Sequence, residues 1–149
     1  MKLTSLLLTG AMLISSLPVV NVSAYSGGAG TQDNPYLIAS AADWNEFTAS
    51  GNSDDDQGAG EYWRLAADID FADEEGNKGW IAPIGNCGRD GDCTAFKGNL
   101  NGNGYLIKNY LIDCDGSLGE HRAFGLFSGI GGDAVIENLG IENPTLRIG

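Results

Sequence analysis

The chain has 149 residues, and its 20 Asp and Glu against 8 Lys and Arg give a formal charge of −12. That balance disfavours nucleic acid and anionic lipid as partners, because both need neutralising cations from the protein. One histidine and three cysteines without paired Cys-x-x-Cys spacing argue against a zinc site, and the length suits one domain with one modest core.

The first residues, Met1-Lys2, precede an apolar stretch from Leu6 to Leu17 and then Val22-Ser23-Ala24. Residues at the last and third-last of these positions suit a secretory signal peptidase, so 1–24 reads as a removed signal peptide and the protein as exported. Ser15, Ser16 and Pro18 interrupt a run already shorter than the roughly 18 to 20 apolar residues that span a bilayer. No membrane span is expected after removal, and loss of Lys2, the one charged residue of the segment, moves the formal charge from −12 to −13.

Residues 25–149 then read as one domain, with a cap region over 25–60 and strand-bearing coils over 61–149. Pro35-Tyr36-Leu37-Ile38 is a short extended run. Ser40 with Asp43 three places on begins a helix over Ala41 to Ala49, with Trp44 and Phe47 on one face. Residues 50–61, including Asp54-Asp55-Asp56, form a solvated loop. Tyr62-Trp63-Arg64-Leu65 starts a strand, and Ile69 and Phe71 alternate with Asp68 and Asp70 in the period-two pattern of a half-buried strand. The run from Trp80 to Gly85 is apolar but broken by Pro83, which keeps it out of a fully paired central strand.

Cys87 and Cys93 flank a flexible Gly-Arg-Asp-Gly-Asp loop. In an exported chain they are the favoured disulfide pair, with Cys114 left as a thiol and a Cys93 to Cys114 link as the competing arrangement. From Phe96 and Leu100 the chain passes through Asn101-Gly102-Asn103-Gly104 into Tyr105 to Ile112. The Asn-Gly steps suit either a tight hairpin or a corner needing positive φ. Leu146-Arg147-Ile148 reads as a last strand.

A repeat favours the corner. Ile107-Lys108-Asn109-Tyr110-Leu111-Ile112 and Ile136-Glu137-Asn138-Leu139-Gly140-Ile141 share an apolar residue, an asparagine two places on and a closing Ile. Each follows a glycine-rich turn, so one unit recurs and is expected to stack on itself as a short solenoid. Asn109 and Asn138 are then expected to stack as an amide ladder, a structural role more common for such residues than ligand binding.

Gly125-Leu126-Phe127 followed by Ala134 to Ile141 resembles the GLUG motif, a repeat of bacterial exported and surface proteins. Gly30-Thr31 with Asn34 to Ile38, Leu65 to Asp70, Pro83-Ile84-Gly85, and Phe96-Lys97-Gly98 running into Asn101 to Gly104 are similar to the segments that precede such repeats. The resemblance covers nearly all of 25–149. It implies an all-β fold: a short right-handed parallel β-helix, or β-solenoid, capped at its N-terminal end by the small helix. Proteins of this kind include surface adhesins, large repeat proteins and the N-terminal regions of some secreted peptidases, and most stack more coils than the two and a half available here. A short stack leaves an open C-terminal coil able to pair with another chain.

The residues offer little catalytic chemistry. His121 is the only imidazole, and no serine lies in a nucleophile-elbow setting. Gly129 to Ala134 matches a dinucleotide fingerprint in letters but runs into strand-like Val135-Ile136, where that site needs a helix. The acid pairs Asp68 with Asp70, Asp90 with Asp92, and Asp113 with Asp115 are the remaining candidates, and none completes an EF-hand loop. The expectation is a non-catalytic exported module for surface association, adhesion or binding, with no cofactor and no metal. Its partners would be a surface glycan or protein met through strands and loops, and a second copy met through the open coil. The alternatives are a carbohydrate-active β-helix enzyme, for which two acid pairs must converge with Lys108 or Arg122, and a truncated module of a larger surface protein.

Overall fold

A computed structural model describes residues 24–53, 57–87, 93–114 and 125–148, with the backbone alone at 86, 87, 93, 114 and 148. The expected signal peptide lies outside the described residues except for Ala24. So do Asp54 to Asp56, Asp90, Asp92, Asp115, His121 and Arg122.

The described chain is mostly strand with one short helix. In order come β1 (Tyr36–Ile38), α1 (Ala41–Gly51), β2 (Tyr62–Leu65), β3 (Ile69–Asp70), β4 (Gly79–Trp80), β5 (Asn86–Cys87), β6 (Cys93–Thr94), β7 (Asn99–Asn101), β8 (Leu106–Lys108), β9 (Tyr110–Cys114), β10 (Val135–Glu137), β11 (Gly140–Glu142) and β12 (Thr145–Ile148). Three parallel sheets take strands in rotation: β1-β2-β7-β10, then β3-β8-β11, then β4-β9-β12. The chain thus visits each sheet once per lap. β7 and β8 belong to different sheets, so the Asn101 to Gly104 segment is a corner and not a hairpin.

Register turns this rotation into a layered core. Trp63, Leu100 and Ile136 lie side by side in the first sheet, Ile69, Ile107 and Ile141 in the second, and Ile112 beside Leu146 in the third. Trp63, Leu100, Ile69, Ile107 and Ile112 are all buried. Like residues recur beside one another because the pleat sends every second side chain of each short strand inward.

The helix covers one end of this stack. Ser40 is its N-cap, and the hydroxyl oxygen of Ser40 accepts from the Asp43 backbone N–H at 3.2 Å. Asp43 in turn accepts from the backbone N–H of Ala39 and from the Ser26 hydroxyl. Trp44 and Phe47 reach into the core, where Phe47 meets Trp63 and Phe96 edge-on and Trp44 meets Phe71. At the C-cap, Asn52 donates to the Pro83 carbonyl and accepts from the Gly85 N–H, which fastens the helix to the lap beneath it.

The equivalence read from the repeated lettering is corrected by the register. Ile136 stacks on Leu100, and Ile141 stacks on Ile107, so the 29-residue offset joins different corners. Paired neighbouring strands are separated by offsets from 27, for Tyr36 to Trp63, to 38, for Ile69 to Ile107, and by 34 for Ile107 to Ile141. Asn109 and Asn138 therefore do not form a ladder with each other. Asn109 donates to Asp70 at 2.8 Å and accepts from Asn143 at 2.7 Å, whereas Asn138 donates to Asn101 at 3.4 Å. Asn109, Asn138 and Asn143 share φ values of 50° to 54°. Asparagine tolerates this left-handed region better than other side-chain-bearing residues, which explains why similar lettering marks different corners.

Candidate functional site

The outer face of the first sheet carries a groove of about 370 Å³. Alternation along the strands builds it: while Trp63, Leu100 and Ile136 point inward, their neighbours point out in two columns. One column runs Tyr62, Asn99, Val135, and the other Arg64, Asn101, Glu137. Pro35 and Gln32 complete the lining from the segment before and at β1. The groove crosses β2, β7 and β10 and the Pro35 segment just before β1, so it extends about 14 Å along the stack at the usual spacing between neighbouring strands.

Two of its amides are already bonded. Asn99 donates to the Glu61 carbonyl, and Asn101 donates to a Glu137 carboxylate oxygen at 2.7 Å while accepting from the Asn103 N–H. Asn101 is thus held by its own neighbours. Gln32, Asn99 and Arg64 bring further polar side chains to the lining.

The second distinctive surface is the far end of the stack. β10, β11 and β12 are the edge strands there, with no described strand beyond them. Ile141 and Leu146 sit in register with buried Ile107 and Ile112, and Ile130 bridges to buried Phe96. Yet these three are 49 %, 46 % and 56 % exposed, because nothing described lies above them. At the opposite end the helix and the Ser26 and Gly27 backbone, bonded to Leu37, cover the equivalent layer.

The acid pairs are part of the scaffold. Asp68 accepts from the Leu106 N–H and from Lys108 Nζ, and these bonds hold its carboxyl below the usual range. Asp70 is likewise lowered, first by the Ala72 N–H and then by the Asn109 amide. Asp113 pairs with Arg147. Lys108 thus meets one described acid pair, while Asp90, Asp92, Asp115 and Arg122 lie outside the described residues. Burial raises the Tyr110 hydroxyl pKa, consistent with a core position.

The cysteine ribbon is visible in the backbone. β5 and β6 pair antiparallel with Cys87 opposite Cys93. Among the described residues no helix is long and apolar enough to cross a membrane.

The groove residues were not legible as a site in the sequence, because they come from three strands and the segment before β1, separated by long laps. The only available signal was that Tyr62, Arg64, Asn99 and Asn101 occupy the outward phase of their strands.

Comparison with known proteins finds similarity to a Gly-rich membrane protein of Evansella cellulosilytica, 35 % identical over 129 residues, covering 85 % of this chain and 13 % of that protein. The chain is also 34 % identical over 129 residues to Halomucin of Haloquadratum walsbyi, covering 86 % of this chain and 1 % of the relative. The chain therefore spans a small fraction of either relative's length. No family model and no solved structure matches it.

Proposed function

We propose that the protein is an exported, non-catalytic association module built as a short right-handed parallel β-helix of the GLUG type. The observation that carries this reading is the far end of the stack, which no described residue covers. Ile130, Ile141 and Leu146 are half exposed beside three strand edges. Unpaired edges next to apolar surface favour addition of another chain, and a second copy of this one supplies a matching face.

Several features support the reading. The described acids chiefly cap turns and bridge layers, as Asp68, Asp70 and Asp113 do. One relative is named a membrane protein, which supports a place at the cell surface or outside the cell. The facing backbones of Cys87 and Cys93 suit a disulfide, since directly opposed antiparallel residues lie within bridging distance. Mass spectrometry of the exported protein without reductant should find those two linked, and a linked Cys114 would replace that assignment.

The test of association is light scattering of the exported protein after size exclusion. A discrete dimer or larger assembly is expected, and Ile141→Asp should return it to monomer. A wild-type monomer at high concentration would overturn self-association. The far greater length of both relatives favours a second reading, in which the same stack is one module of a larger surface protein. The intact mass of the protein recovered from its source separates the two.

A further inference from the structure

The groove on the first sheet has a composition that selects its occupant, and this selection is independent of what happens at the end of the stack. From it we infer that the groove formed by Gln32, Tyr62, Arg64, Asn99, Val135 and Glu137 binds a short neutral saccharide chain lying along the stacking axis.

A peptide extending a sheet needs an unpaired strand edge. The groove lies on a sheet face, where β2 and β7 already have neighbours on both sides, so its ligand must be held by side chains. Those side chains come in two kinds. Pro35 and Tyr62, and Val135 beyond Asn99, offer apolar surface in one column, and Asn99 within it and Gln32, Arg64 and Glu137 beside it offer donors and acceptors. An amide both donates and accepts, a guanidinium only donates and a carboxylate only accepts. Adjacent ring hydroxyls, each a donor and an acceptor, satisfy all three, while the C–H face of a sugar ring rests on an aromatic or aliphatic side chain.

Charge decides between neutral and acidic chains. The groove holds one cation, Arg64, and one anion, Glu137, on a protein of formal charge −12. A polyanion gains one contact and meets the field of the whole molecule. A neutral chain meets no such barrier. Shape agrees, because an open trough about 14 Å long across three strands and the Pro35 segment accepts a linear ligand and leaves its ends free.

The arrangement is also pre-organised. Asn101 and Glu137 bond to each other at 2.7 Å, and the Asn103 N–H holds Asn101 from behind. Glu137 therefore presents its second oxygen in a set direction, which lowers the ordering cost of binding.

The experiment is nuclear magnetic resonance titration of the intact exported protein with cellohexaose, laminarihexaose, mannohexaose and chitohexaose, with oligogalacturonate and a heparin hexasaccharide as acidic probes. At least one neutral hexamer should shift the resonances of Tyr62, Arg64 and Asn99 saturably, and neither acidic probe should match it. Tyr62→Ala should weaken that binding about tenfold through loss of the ring contact. Arg64→Ala, at an exposed site, should weaken it as well with an unchanged melting temperature, which separates binding from folding. No saturable shift with any neutral hexamer, shifts confined to the far end of the stack, or tighter binding of an acidic probe would overturn the inference. Since the readout is groove resonances, it succeeds or fails whether the protein is monomer or assembly.

Discussion

Asn109 shows how much one corner residue does. Its φ of 54° lies where most side chains are strained, and its amide bridges Asp70 below and Asn143 above. Replacing it by Ala removes both bonds and keeps the strained backbone. Asn109→Ala should therefore cost about 2 to 3 kcal/mol in denaturant unfolding, and Asn109→Gly, which relieves the strain, about 1 to 2. Equal losses would mean that the bonds alone matter. The carboxylates at Asp68, Asp70 and Asp73 have folded pKa values lowered by backbone and amide donors. A group lowered on folding stabilises fully above its unfolded pKa, and that contribution disappears as pH falls through the folded value. The melting temperature should thus hold from neutral pH to about 5 and fall below about 4. The double variant Asp68→Asn, Asp70→Asn should show a shallower acid decline, and an unaltered profile would remove these two acids from the account.

At the scale of elements, what was legible was what is local. Ser40 and Asp43 announced the helix start, and the alternation around Trp63 and Ile69 announced strands, because caps and periodicity act within a few residues. Strand partnering was not legible. It depends on corner lengths, and these differ between laps: Ala66 to Asp68, Gly102 to Tyr105, and Asn138 to Leu139 all connect the same two sheets. Similar lettering at Asn109 and Asn138 marks two separate needs for positive φ, not one repeat. The groove was hidden for a related reason, since Tyr62, Asn99 and Val135 become neighbours only once that register is set. The helix carries two of the largest fully buried side chains, Trp44 and Phe47, and Trp44 is fully enclosed. Trp44→Ala should cost about 3 to 5 kcal/mol by leaving a cavity at the covered end. Chemical denaturation measures this, and a loss under about 1 kcal/mol would mean that the helix is not an integral lid.

For the whole molecule the two ends of the stack set different outcomes for the same chemical change. Ile107 sits inside a layer and Ile141 directly above it at the open end. A charge at Ile107 has no water to reach, so Ile107→Asp should unfold the stack, with a loss of several kcal/mol. Ile141→Asp should leave far-ultraviolet circular dichroism close to that of the parent while the scattering mass falls to that of a monomer. If both variants unfold alike, the end is less exposed than its geometry implies. The unequal corners carry a further consequence for how such a chain can change over time. The strands keep their register although the corners joining the first sheet to the second vary in length, so the exposed tip at Asn103 and Gly104 tolerates added residues without shifting either sheet. New loops can accumulate on the flank of the stack, beside the groove, while the interior keeps its pattern, and an epitope tag inserted after Gly104 should be displayed there with the protein still folded.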